Sequence, residues 1–149
     1  MAGPSIDQLN IISADFDATQ SFYRALGVEI GDPSRTAEGA PFHASHRPAE
    51  GPSLEVDSPS FARFWNAGWA GEADLRGRVL IGLKVADRES VDRLYERATV
   101  HGHKGLQPPS DGFWGARYAI VEDPDGLAVG LMSEAEERYR SAPPAEWAE

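Results

Sequence analysis

An α+β fold made of two tandem β-α-β-β-β modules is what this sequence predicts, and three observations predict it. The chain repeats itself: Ala14-Asp15 leads into a helical stretch with Phe22, Tyr23 and Arg24, Ala86-Asp87 into one with Leu94, Tyr95 and Glu96, and both Asp15 to Asp87 and Tyr23 to Tyr95 are separated by 72 residues. Each stretch places Thr19, Phe22, Tyr23, Leu26 or Val91, Leu94, Tyr95, Ala98 at i, i+3, i+4 and i+7, the spacing that lines one face of a helix. Around each helix, short runs of β character are fenced by Gly and Pro in the same order. Two copies point to a duplicated, pseudo-symmetric domain, since a solenoid needs more units to bury a continuous core.

The elements follow in order. Residues 6–13 read as a strand, Asp15 or Asp17 caps a helix over 18–26, and Gly27 ends it. A second strand starts at 28–30, residues 31–39 are turn or loop, 41–46 form a third strand, and 53–57, between Gly51-Pro52 and Pro59, a fourth. A short helix at 60–67 and a linker at 68–77 lead to the second module. That module has a strand at 79–85, a helix at 89–101 closed by Gly102, and strands at 104–107, 117–122 and 127–132. Asp123-Pro124-Asp125-Gly126 joins the last two as a type I turn, with Pro at i+1 and Gly at i+3. The expected organisation is one domain over 1–149, with modules at 5–58 and 78–133, a connector at 59–77 and a loose polar tail at 134–149.

Composition excludes several classes of function. The absence of cysteine removes disulfides, thiolate metal sites and Cys nucleophiles, and fits a cytoplasmic protein. A formal charge of −10, from 14 basic and 24 acidic residues without a Lys/Arg cluster, argues against a nucleic-acid partner. No apolar run is long enough for a membrane span. Nothing has the pattern of a nucleophile elbow, a phosphate-binding glycine loop or a dinucleotide fingerprint.

Three stretches carry a family likeness: Gln8-Leu-Asn-Ile-Ile-Ser-Ala-Asp15 with Ser21-Phe-Tyr-Arg-Ala-Leu-Gly27, then Leu54-Glu-Val56, then Trp114-Gly-Ala-Arg-Tyr-Ala-Ile-Val-Glu-Asp-Pro-Asp-Gly126. In this order they resemble the vicinal oxygen chelate superfamily of glyoxalase, bleomycin resistance and extradiol dioxygenase proteins. The resemblance implies that the two modules form a curved-sheet cradle around a site. It also implies four metal-ligand positions, which fall here on Gln8, Glu55, Leu80 and Gly130. Leucine has no donor and glycine only backbone, so the expectation is no metal and no cofactor. His43 and His46, three apart on a strand, should face opposite ways and make poor co-ligands.

The candidate ligand-binding residues are Gln8 and Glu55 for orientation and charge, with Trp65, Trp114 and Tyr118 as stacking surfaces. The leading expectation is a metal-free protein that sequesters an aromatic or cationic organic molecule and pairs as a homodimer. The alternatives are a metal-dependent lyase, isomerase or dioxygenase of the same superfamily, using Glu55, Gln8 and a donor such as His43 or His46, or a fold serving association alone.

Overall fold

A computed structural model describes residues 3–71 and 73–148, which divide into two compact units, residues 1–74 and 75–149. In the first unit β1 (Gln8–Ile12) is followed by α1 (Phe16–Ala25), β2 (Ser34–Arg35), β3 (Pro41–His46), β4 (Ser53–Asp57) and the short α2 (Pro59–Trp65). The four strands form one mixed sheet in the order β1-β4-β3-β2, with β1 parallel to β4 and the other pairs antiparallel. In the second unit β5 (Leu80–Lys84), α3 (Arg88–Val100), β6 (Gly105–Asp111), β7 (Arg117–Glu122) and β8 (Ala128–Met132) repeat the plan, with sheet order β5-β8-β7-β6. Each unit is thus a β-α-β-β-β module, and β1 and β5, like the starts of α1 and α3, lie 72 residues apart.

The helices form where the sequence supplies both cap and stripe. Asp15 accepts from the Ala18 N–H at 3.0 Å, and Asp87 from the Ser90 N–H at 2.8 Å, which satisfies amide donors left free at each helix start. Thr19, Phe22 and Tyr23 of α1 and Val91, Leu94 and Ala98 of α3 are all buried, as the shared spacing predicted, while Tyr95 of the second stripe is only half-buried. Gly27 and Gly102 follow the helices at φ +88° and +89°, a backbone conformation that side chains disfavour. The Asp123-Pro124-Asp125-Gly126 turn closes with the Gly126 N–H on the Asp123 carbonyl at 3.0 Å.

Three expectations are corrected. Residues 28–30 pair with no strand; the edge strand is β2, inside the stretch expected to be loop. Val28 and Ile30 are apolar because they plug the core, at 9 and 2 % exposed, and the Val28 N–H turns back to the Tyr23 carbonyl at 2.9 Å. β6 runs on to Asp111 through Pro108-Pro109, where register shifts at the sheet edge accommodate residues that cannot donate to a ladder. The tail, expected to be loose, holds one-turn 3-10 helices at Glu137–Tyr139 and Ala145–Trp147.

Strand alternation sets up the site. On β1, β3 and β4 the residues Ile11, Ala44, Leu54 and Val56 are buried on one face, with Ile11, Val56 and Ala44 directly in register. The opposite face presents Gln8 and Asn10 from β1, His43 and Ser45 from β3, and Ser53, Glu55 and Asp57 from β4.

Candidate functional site

That second face forms the floor of a cavity of about 360 Å³ in the first unit, lined by Gln8, Asn10, His43, Arg47, Glu55 and Asp57, with Phe61 and Trp65 of α2 as an aromatic wall. α2 starts under the Ser58 cap, which accepts the Phe61 N–H at 3.2 Å, with Pro59 in its first turn. Phe61 stacks on Phe64 at 6.1 Å and meets the His43 ring edge-on at 5.7 Å.

The polar floor is connected almost throughout. Gln8 Nε2 donates to Asn10 Oδ1 at 2.7 Å, and Asn10 Nδ2 donates to Asp57 Oδ2 at 2.9 Å. The other Asp57 oxygen meets His43 Nδ1 at 2.6 Å. Ser53 Oγ donates to Glu55 Oε1 at 2.8 Å, and the Arg47 guanidinium, 73 % exposed, lies 3.5 Å from the same oxygen. Glu55 and Asp57 are 3 and 1 % exposed. One atom breaks the pattern: Glu55 Oε2 is buried without a hydrogen-bond partner, and His43 Nε2 lies 3.4 Å away. Buried polar atoms are nearly always paired, so an orphan oxygen beside a cavity points to a donor supplied from outside.

The corresponding face of the second unit is different. Register equates Gln8 with Leu80, Asn10 with Gly82, Glu55 with Gly130, Asp57 with Met132 and His43 with Tyr118. The cavity there, about 450 Å³, is lined by Leu80, Gly82, Tyr118, Gly130 and Met132 among others. The same backbone therefore carries an acidic floor in one unit and an apolar floor in the other.

Of the five candidate binding residues, Gln8, Glu55 and Trp65 come together in the first cavity, and Tyr118 lies in the second. Trp114 lines neither; it sits between β6 and β7 with its ring 5.2 Å from Phe113 and 6.0 Å from Tyr118, and pairs by backbone with Arg140. His46 turns from His43 and donates from Nδ1 to the Glu29 carbonyl at 2.9 Å. Asn10 and Asp57 escaped the sequence reading, although they sit two residues from Gln8 and Glu55, the spacing that returns a strand to the same face.

The four metal-ligand positions of the resemblance do not fit a metal here. Leu80 offers no donor, and a Cβ at Gly130 would already lie 3.1 Å from a Leu80 methyl and 3.5 Å from the Tyr118 ring. Among the described residues no group of three or more His, Cys, Asp or Glu side chains could hold a metal ion.

Two β-α-β-β-β modules, each with one four-stranded sheet, define a class. The profile of the Glyoxalase/Bleomycin resistance protein/Dioxygenase superfamily matches residues 5–131, and the chain belongs to that superfamily. No curated protein matches. Solved structures do. A glyoxalase/bleomycin resistance protein/dioxygenase from Nocardioides is 22 % identical, with 97 % of this chain and 92 % of that one covered at a TM-score of 0.66. A glyoxalase-related enzyme from Fulvimarina pelagi is 20 % identical, with coverage of 95 and 98 % at 0.68. A lactoylglutathione lyase from Agrobacterium tumefaciens is 16 % identical, with coverage of 89 and 96 % at 0.62. At these identities the likeness shows the fold alone.

Proposed function

We propose that the protein binds a small organic cation with an aromatic or apolar body in the cavity of its first unit, without a metal. The carrying observation is Glu55: a carboxylate 97 % removed from solvent, with one oxygen unpartnered, facing a cavity walled by Phe61 and Trp65. A cation meets the buried charge while its apolar body covers the rings. The cavity volume is of the size that encloses a drug-sized or smaller molecule. With two carboxylates against one guanidinium, the lining favours positive ligands.

Gln8, Glu55 and Trp65 carry binding in this reading, and Trp114 and Tyr118, which belong to the second unit, lie outside the cavity's lining. The protein acts as a cytoplasmic homodimer, a reading supported by the lack of cysteine and by exposed Phe64, Leu80 and Met132, which are 83, 46 and 42 % accessible. Calorimetric titration with organic cations tests the site. Binding should weaken at least tenfold in both Glu55→Gln and Trp65→Ala; affinity unchanged in the two variants, or stoichiometric metal removed by Glu55→Ala, would refute it. Sedimentation at micromolar concentration tests the dimer.

A further inference from the structure

The floor of the first cavity also sets which kind of cation it accepts, an inference that rests on reading the cavity as a ligand site. An ionised Asp57 can only accept hydrogen bonds, and it takes one from Asn10 Nδ2 at Oδ2 and one from His43 Nδ1 at Oδ1, 2.6 Å away. The hydrogen of a neutral imidazole is therefore held on Nδ1. His43 Nε2 is left as an acceptor, and 3.4 Å from it stands Glu55 Oε2, also an acceptor and without a partner. In that neutral ring, two lone pairs face each other with no hydrogen between them. Ser53 and Arg47 are both on the far oxygen, Oε1, and do not relieve this.

We propose that His43 Nε2 and Glu55 Oε2 form an acceptor pair that selects ligands carrying N–H hydrogens on the cationic group, a primary ammonium or an amidinium, over quaternary cations of the same size. An N–H-bearing group supplies donors to both atoms. A quaternary ammonium brings the same charge and can still lie against Phe61 and Trp65, but it gives neither acceptor a donor, and the buried Glu55 Oε2 then stays unpaired, a cost that discriminates against such a ligand. Asp57 is a positioning residue in this scheme: it touches no ligand and acts by fixing the tautomer of His43.

Asp57→Asn should reverse that tautomer. Asn10 Nδ2 requires an acceptor, so the new amide places its oxygen there and turns its NH2 toward His43 Nδ1, which must then accept. Nε2 becomes the N–H and donates to Glu55 Oε2 internally. Glu55→Gln reaches the same end by another route: Ser53 Oγ holds the amide oxygen, and the amide NH2 faces His43 Nε2.

The experiment is calorimetric titration of the full chain with benzamidine, benzylamine and benzyltrimethylammonium, with ¹⁵N imidazole spectra of His43 in parallel. The wild type should bind the two N–H probes at least tenfold more tightly than the quaternary one, with the hydrogen on Nδ1. In Asp57→Asn the hydrogen should move to Nε2 and the preference should fall to within about twofold of unity; should that variant fail to fold, Glu55→Gln should show the same collapse. Equal binding of all three probes, weakened by Trp65→Ala, overturns the selectivity and leaves the cavity reading standing. A preference that survives the tautomer change overturns it as well. Failure of all three probes to bind at millimolar concentration overturns both.

Discussion

Replacing Glu55 by glutamine should make the unliganded protein more stable, and the structure sets the size of the gain. A buried acceptor left without a donor costs about 1–3 kcal/mol, and more when it carries charge. Glu55 Oε2 is such an atom, whereas Oε1 has the Ser53 hydroxyl at 2.8 Å, a bond that glutamine keeps through its own oxygen. Against the gain stands the Arg47 ion pair, which at 3.5 Å and with Arg47 73 % exposed is worth about 0–1 kcal/mol. The net is a stabilisation of about 1–2 kcal/mol. For a chain of 149 residues that corresponds to a rise in Tm of roughly 2–8 °C. Urea unfolding followed by tryptophan fluorescence, with Trp65 beside the site, reads it as a higher midpoint at constant slope. A lower midpoint in Glu55→Gln would refute the reasoning, because it would mean that Oε2 is already satisfied, with His43 as a charged donor. Gain of stability together with loss of binding is the behaviour of a group kept for its ligand.

Removing the Arg47 charge with Arg47→Ala should tighten binding of benzylamine by up to about fivefold at low salt, since its exposed guanidinium competes for the same carboxylate; the advantage should shrink as salt rises. The Asp87 carboxyl is held below its usual 3.8 by the Ser90 hydroxyl and then the Ser90 amide. Its stabilising contribution is therefore full above pH 3.8 and lost as pH falls through the lower folded value, so Asp87→Asn should show a flatter loss of stability on acidification in urea midpoints measured from pH 5 to pH 2. Arg88, 13 % exposed, stacks its guanidinium 3.7 Å from the Tyr139 ring centre, donates to the Gly115 carbonyl at 3.3 Å and pairs with Asp111. Arg88→Ala should cost about 1–3 kcal/mol and speed amide exchange in residues 136–141, a region whose protection should otherwise match that of β7.

The module plan was legible because it rests on signals that survive in a single sequence: a 72-residue repeat, an Asp cap before the first helix and two glycines that end helices. The edge strands were not. β2 has only two residues and no apolar pattern, because neither of its side chains is buried, while Val28 and Ile30 fill the core without strand pairing. At the site, Gln8, Glu55 and Trp65 were found through family positions and aromatic crowding. Asn10 and Asp57 were within reach of the alternation rule, which places 8 with 10 and 55 with 57. The His43–Asp57 contact was not, since it depends on the β3–β4 register, which pairs residues 14 apart in sequence. The placement of Trp114 depends on the tail: its backbone bridge reaches Arg140, beyond both β7 and β8, a long-range contact that no local pattern announces.

The register between the first and last strands of each unit separates two kinds of information in the chain. Ile11 with Val56, and Ile81 with Val129, are buried pairs of the apolar layer; the positions next to them, Asn10 with Glu55 and Gly82 with Gly130, belong to the opposite face of each sheet. A duplicated module with this division gives the chain two different surfaces on one repeated support. Here one was written in carboxylates and the other in glycine, leucine and methionine. The second is a blank of known register, on which Leu80, Gly82, Gly130 and Met132 are the four addresses where the chemistry of the first could be copied.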